Sequence, residues 1–424
     1  MRVSTSSTDE GALEAVRAGF AGSDRVFWLD GGGSREWSGR RSLVGVLDDD
    51  DLSLSFDASR GEVTRHEGGR AEIVGDDIFA VLEDEIALDG GDPAVHWVGY
   101  FGYASRTDLP ARPWRSGAAG GPDAIWMRST DVQVFSSGAE GHIRPLLPEA
   151  QPEAVPDWYR EAFDEVQDQL HAGNSYEVNL TYRAAVTRGD PVDPLETYLR
   201  LRRASPAPYA GLLRHHGTHL LSSSPERYAV VDRQRRLETR PIKGTTPRGQ
   251  TPAEDERLRE HLATDPKFRS ENLMIVDLLR NDLSMVCEPG TVEVPSLMSV
   301  ESYASVHQLV STVGGQLRDD VSTIAALRAL FPAGSMTGAP KLRTMEIIDA
   351  VESTPRGPYA GAFGWICADG RADLGVVIRS LFTSPGGAWW LGTGGGITVR
   401  SEVQEEWAET LWKADRLRRA VADL

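Results

Sequence analysis

Lys243 lies in the string Thr239-Arg240-Pro241-Ile242-Lys243-Gly244-Thr245, a stiff and sterically open stretch. A lysine attacks carbon only as the neutral amine, and Arg240 and Arg248, close by in sequence, are expected to lower its pKa. The segment alone also fits a solvated lysine in a turn. Glu226 follows Pro225 in Ser222-Ser223-Ser224-Pro225-Glu226-Arg227, between the apolar runs Leu220-Leu221 and Tyr228-Ala229-Val230. A carboxyl so flanked is expected to be partly buried with a raised pKa, as a general acid needs. A Glu226–Arg227 surface pair is the plainer alternative. Glu271 and Glu409, with Glu406 and Lys413, are helix-borne. Positions 406, 409 and 413 share one helix face at the edge of an apolar stripe. Rigidly held carboxylates suit Mg²⁺, which takes one or two of them plus substrate oxygens and water; ordinary helix pairing fits the same spacing. Finally, Gly392-Thr393-Gly394-Gly395-Gly396 would present free backbone N–H groups to an anion, and Arg379 would grip a carboxylate with two prongs. A plain hairpin turn is the competing reading of the glycines.

These residues must be positioned by elements of two kinds. Residues 1 to about 145 read as short strands and turns, with a buried strand at 96–103. After Trp158 the elements lengthen: a helix at 158–171, a strand at 176–182, and strands on both sides of His215-His216-Gly217-Thr218-His219. Asp265 as cap and Pro266 in the first turn open the helix that carries Glu271. The last helix, 405–424, places Trp407, Leu411, Ala414, Leu417 and Val421 at helical spacing. Hairpins mixed with helices, without regular βαβ alternation, predict an α+β fold. The expected division is a strand-rich N-terminal lobe, residues 1–150, a Pro/Glu/Ala-rich linker at 147–156, and a catalytic domain at 157–424. The three histidines at 215, 216 and 219 read as an exposed hairpin turn rather than a metal site.

Composition narrows the function. A net charge of -18 excludes nucleic acid and anionic membrane as partners, so an anionic substrate needs local cations or a metal. No apolar run approaches the ~20 residues that span a bilayer, and no secretory pattern opens the chain, so a cytoplasmic protein is expected. Two cysteines, Cys287 and Cys367, provide neither a disulfide framework nor a thiolate metal site.

The chain resembles the chorismate-utilising enzymes, which form anthranilate, aminodeoxychorismate, isochorismate or salicylate. The matching strings are Gly173-Asn174-Ser175-Tyr176-Glu177-Val178-Asn179-Leu180-Thr181, Ser224-Pro225-Glu226-Arg227, Pro241-Ile242-Lys243-Gly244-Thr245, and the stretch from Glu271 through Asp282. Val306-His307-Gln308-Leu309-Val310-Ser311, Gly334-Ser335-Met336-Thr337-Gly338-Ala339-Pro340-Lys341, Arg356-Gly357-Pro358-Tyr359 and the 394–396 glycines continue the series to the last helix. Together they cover roughly 157–420 in order, and chance does not produce so many in register. The resemblance implies two large mixed or antiparallel sheets packed together with helices outside, an α/β/β/α layering. It implies Mg²⁺ held by Glu271 and Glu409, with Glu406 in support, on the ring carboxylate of chorismate. Arg379, Tyr359, Thr337, Lys413 and the amides of Gly394, Gly395 and Gly396 would hold the substrate. Glu226 would protonate the departing C4 hydroxyl, and His307 would line the ring site.

Within that family a lysine at position 243 resembles a nucleophile that attacks C2 of chorismate, so that ammonia then enters at C4 to give 4-amino-4-deoxychorismate. Amination at C2 with pyruvate loss, and chorismate binding without turnover, are the alternatives; a pure binder has no use for Glu226 or Lys243. Glu177 departs from the pattern, since water-activating members carry Lys there and aminating members usually Gln. Its role at this catalytic position is left open. Phe268 replaces an acid that relatives often carry. Neither cysteine resembles a glutaminase nucleophile, so ammonia is expected from a separate glutamine amidotransferase subunit.

Overall fold

The computed structural model describes residues 9–31, 41–114, 120–136, 153–186, 192–303, 306–385 and 388–422. Successive residues of a strand point to opposite faces, and here both faces are apolar. Phe27, Leu213, Leu220 and Phe382 join one core cluster, while their neighbours Trp28, Leu212, Leu221 and Leu381 join another. A strand apolar on both faces must be covered on both, and that requirement sets the layering. The first cluster lies between two sheets, because it also holds Trp97, Tyr100, Phe363 and Leu374 from the second sheet. The other cluster lies under helices, and takes in Ala12, Val16, Tyr198, Leu417 and Val421.

Among the described residues one sheet has nine strands and the other twelve, and every pair in them is antiparallel. The expected α+β, two-sheet layering is what the molecule has. In the nine-stranded sheet, Glu177–Val186 pairs with Trp389–Ile397. The edge of the twelve-stranded sheet is Ile242–Pro247, paired with Val306–Gln316. The glycines at the close approaches follow from this geometry: a Cβ on Gly211 would stand 2.7 Å from Phe363 across the sheets.

Among the described residues, those of 1–150 do not form a sheet of their own. Strands Arg25–Asp30 and Arg41–Leu47 extend the nine-stranded sheet from Tyr209–His215. His96–Phe101 and Ala124–Ser129 extend the other from Ala362–Cys367. Most of the expected linker, 147–152, lies outside the described residues. Helices form where caps and periodicity place them: Asp157–His171, Pro266–Ser284 with the Asp265 carboxylate accepting from the N–H groups of Lys267 and Phe268, and Val403–Ala422. Among the described residues no helix is long and apolar enough to cross a membrane.

Two of the three histidines differ from expectation: His219 is half-buried in strand Thr218–Ser224, and His215 departs further. His215 is 2% exposed, because its strand lies within the sheet rather than at a loose turn. Its ring meets His66, from the other sheet, at 5.3 Å and His216 at 4.5 Å, and Nε2 lies 3.0 Å from Ser53 Oγ. No metal-ligating group of three side chains exists among the described residues.

Candidate active site

A cavity of about 430 Å³ opens at one end of the layered sheets, where the strand edges meet helices Pro266–Ser284 and Val403–Ala422. Its lining contains Glu226, Lys243, Glu271, Tyr359, Arg379, Gly394, Gly395, Gly396, Glu406, Glu409 and Lys413, residues spread over 188 sequence positions.

Lys243 is buried on the edge strand, and its Nζ donates to Glu177 Oε1. The expectation that Arg240 and Arg248 depress its pKa is overturned. Arg240 is paired with Glu301 and Arg248 with Asp255. Burial alone would pull the lysine down, but Glu177 and Glu271 outweigh it and hold the pKa above its ordinary value. Side chains alternate along a strand, so sequence neighbours point away while residues from other strands approach. Gly396 makes room for the pair: a Cβ there would lie 2.2 Å from Glu177 Oε1 and 3.3 Å from Lys243 Nζ. Glu177 itself is 0% exposed, and its Oε2 has no hydrogen-bond partner.

Glu226 lies in the turn between Thr218–Ser224 and Arg227–Val231 and is 5% exposed. It is no surface pair, since Arg227 is taken by Glu238 and Tyr209. Burial pushes its carboxyl up to about 7, against a Ser335 Oγ–H bond of 2.6 Å that favours the ionised form. Glu271 is also raised to about 7, by burial above all and then by Glu177 and Glu406 against the pull of Lys243 and Lys267. Its Oε1 is buried without a partner. Glu406 is raised by burial and by Glu409. Glu409 is held down by Lys413, whose Nζ lies 2.7 Å from its Oε1.

Three expectations are corrected. The 392–396 stretch is strand, not loop, and runs in register with 179–183. It has a strand neighbour on that side only: strand Ser380–Thr383 reaches no further than Leu391, the Gly394 carbonyl accepts from Lys413, and the absent side chains open the floor of the cavity. Thr337 is 0% exposed, lies behind the cavity wall, and bonds the 334 carbonyl while its own carbonyl accepts from Asn179 N–H. Its neighbour Ser335 reaches Glu226 instead. His307 does not line the cavity: on its strand Gln308 faces in, and His307 is turned to Ser302 Oγ at 2.7 Å and Asp255 at 3.0 Å.

Tyr359 and Arg379 lie where expected. Tyr359 is buried against Gly392, with the Arg183 guanidinium 5.2 Å from its ring centroid. Arg379 stacks on Trp412 at 5.1 Å, and burial and Arg416 lower its pKa to about 10. Lys267, Ser335, Asn179, Gln308 and Trp412 also line the cavity. Sequence reasoning missed Lys267, although it sits four residues before Glu271 and so shares that helix face. Cys287 and Cys367 are both buried, with thiols pushed up to about 11 by burial, unlike a nucleophilic cysteine.

Comparison with known proteins agrees with this geometry. The family model described as chorismate binding enzyme matches residues 128–419, and the chain belongs to that family. An aminodeoxychorismate synthase of Streptomyces griseus is 38% identical over 447 residues, covering 94% of this chain and 61% of that protein. Aminodeoxychorismate synthase component 1 of Escherichia coli (strain K12) is 42% identical over 272 residues, covering 64% of this chain and 59% of that protein. The chain thus spans about three fifths of the length of these two curated relatives. The crystal structure of anthranilate synthase component I from Streptococcus pneumoniae TIGR4 superposes with a TM-score of 0.74 at 24% identity, covering 90% of this chain and 92% of that one, and shows the shared fold.

Proposed function

We propose that the chain aminates chorismate at C4 to give 4-amino-4-deoxychorismate, with Lys243 as covalent nucleophile and ammonia supplied by a glutamine amidotransferase partner. The observation that carries the reading is a buried lysine amine sharing one cavity with a buried carboxyl of raised pKa, Glu226, and with Arg379. The names of the two relatives point the same way.

The residues suit a divalent cation. Glu271 offers a buried oxygen without a partner, and Glu406 and Glu409 share its cavity. Mg²⁺ needs only one or two protein carboxylates besides substrate and water oxygens, so a preformed cage is not required. Bound there, Mg²⁺ would neutralise a substrate carboxylate in a chain of net charge -18.

Lys243 rests as the ammonium, so its proton must first pass to Glu177 Oε1 before the freed lone pair attacks ring carbon C2. The ring electrons shift, the C4–O bond breaks, and Glu226 gives its proton to the departing hydroxyl, which leaves as water. Ammonia then adds at C4, the electrons return, and the C2–N bond breaks to free the Lys243 amine. Glu226 recovers a proton from the new C4 ammonium, and Glu177 returns its proton to Lys243. Dividing one substitution into two lowers each barrier.

The test is product identification by liquid chromatography with mass detection, using the purified chain, chorismate, Mg²⁺ and an ammonium salt. Aminodeoxychorismate is expected, converted to 4-aminobenzoate by an added lyase. Fluorescent anthranilate would place the amine at C2 and remove the Lys243 nucleophile. Lys243→Ala is expected to lower the rate by more than about a hundredfold; full activity would sink the covalent step.

A further inference from the structure

Lys267 has no part in the chemistry above, yet it spans the two helices that carry the cavity carboxylates. It stands on Pro266–Ser284 one turn before Glu271, and its Nζ lies 3.1 Å from Glu406 Oε1 on Val403–Ala422. Lys413 ties Glu409 in the same way at 2.7 Å and also donates to the Gly394 carbonyl. The two pairs adjoin: a Cβ on Gly395 would lie 3.1 Å from Glu406 Oε2 and 3.8 Å from Lys413 Nζ. Among the lining residues, four carboxyl groups (Glu226, Glu271, Glu406, Glu409) face four cations (Lys243, Lys267, Arg379, Lys413). Glu177 behind Lys243 adds a fifth carboxyl group, so the charges balance to within one unit.

Such a site is close to neutral without any ligand. A divalent cation alone leaves an excess of positive charge and must compete with an ammonium for Glu406. A dianion alone leaves an excess of negative charge. Entering together, the two restore neutrality in a partly buried site, where uncompensated charge is costly. We propose that Lys267 is a displaceable internal cation that occupies Glu406 until a divalent metal arrives, and then turns to a carboxylate of the bound dianion, so that metal and substrate bind cooperatively. This rests on the reading that the cavity takes a dianion with a divalent cation. Lys267 is a positioning residue here, acting through Glu406. Its side chain is 32% exposed and Glu406 only 3%, so the lysine is the partner free to move.

The test is Mn²⁺ binding followed by electron paramagnetic resonance, with and without chorismate in ammonium-free buffer. In the wild-type chain chorismate is expected to tighten Mn²⁺ by at least about fivefold, and Mn²⁺ to tighten chorismate equally, since coupling is reciprocal. Lys267→Gln is expected to tighten Mn²⁺ by about fivefold or more without chorismate and to remove most of the coupling, and Lys267→Arg to preserve it. Unchanged or weaker metal binding in Lys267→Gln overturns the proposal while leaving the metal reading intact. No Mn²⁺ binding by the wild type, even with chorismate, would instead remove the metal reading itself and the proposal with it. A second measurement needs no variant: Mn²⁺ alone should speed acetylation of Lys267 by acetic anhydride, read on its peptide by mass spectrometry. An unchanged rate overturns the displacement.

Discussion

At the residue scale, the site works by burying ionisable groups where water is scarce. Glu226 and Glu271 are both pushed up to about 7 chiefly by burial. A general acid must be protonated to act, so kcat is expected to fall as pH rises through about 7. Glu226→Gln should lose both the activity, by about a hundredfold or more, and that limb of the pH profile; a variant that keeps the limb would assign it to another group. Lys243 is held up by Glu177 more than by any other charge. Glu177→Gln should therefore move the amine's titration to lower pH, followed by the pH dependence of its labelling. An unmoved titration would mean that Glu271 sets the lysine's charge. Glu177 and Lys243 were each visible in the sequence as departures or candidates. Their contact was not, because 66 positions separate them along the chain.

At the element scale, the cavity depends on two helices and one glycine strand. The Asp265 cap satisfies two backbone N–H groups at the start of the helix that carries Lys267 and Glu271. Asp265→Ala should cost about 1 kcal/mol of stability in a denaturant titration, and should weaken Mn²⁺ binding if that first turn also positions Glu271. The strand Trp389–Ile397 is a sharper case. Gly396→Ala would drive a methyl group into the Glu177–Lys243 pair, so activity should fall while the helix content seen by circular dichroism stays. Behind this strand, Glu352 is buried between Arg183 and Arg356. Removing one member of a buried ion cluster strands the others, and Glu352→Ala should destabilise the fold by about 3–5 kcal/mol. Caps and helical periodicity were legible because they are local. The 392–396 run was misread as a loop because glycines in a turn and glycines in a strand facing a cavity share one composition.

At the scale of the whole molecule, two sheets must stay packed, and a histidine cluster outside the cavity lining joins them. His66 is lowered to about 4 by burial, then by His216 and Arg25, and His215 is pushed well below its ordinary value by burial and its histidine neighbours. The unfolded chain therefore binds more protons than the fold below about pH 6.5. Stability from these groups is present above that pH and is lost as pH falls toward about 4. Buried carboxyls of raised pKa, such as Asp123 at about 7, act in the opposite sense. The informative quantity is thus the difference between wild type and His66→Gln: the fall in melting temperature from pH 7 to pH 5 should be smaller in the variant. An equal fall would mean the cluster does not govern acid sensitivity.

Sequence alone determined the family, the α+β class, the caps and helices of the later chain, and most of the side chains that meet in the cavity. These are properties of residue type and short spacing, carried by local backbone preference and by strings that stay in register. Tertiary structure alone decided which charges face which. It turned His307 and Thr337 out of the cavity, set Glu177 rather than an arginine beside Lys243, and brought Lys267 to Glu406. Strand alternation sends sequence neighbours to opposite faces, while pairing across sheets and between helices makes neighbours of residues far apart in the chain. Electrostatics follows distance in space, so the charge state of the site could be read only once the sheets were in place.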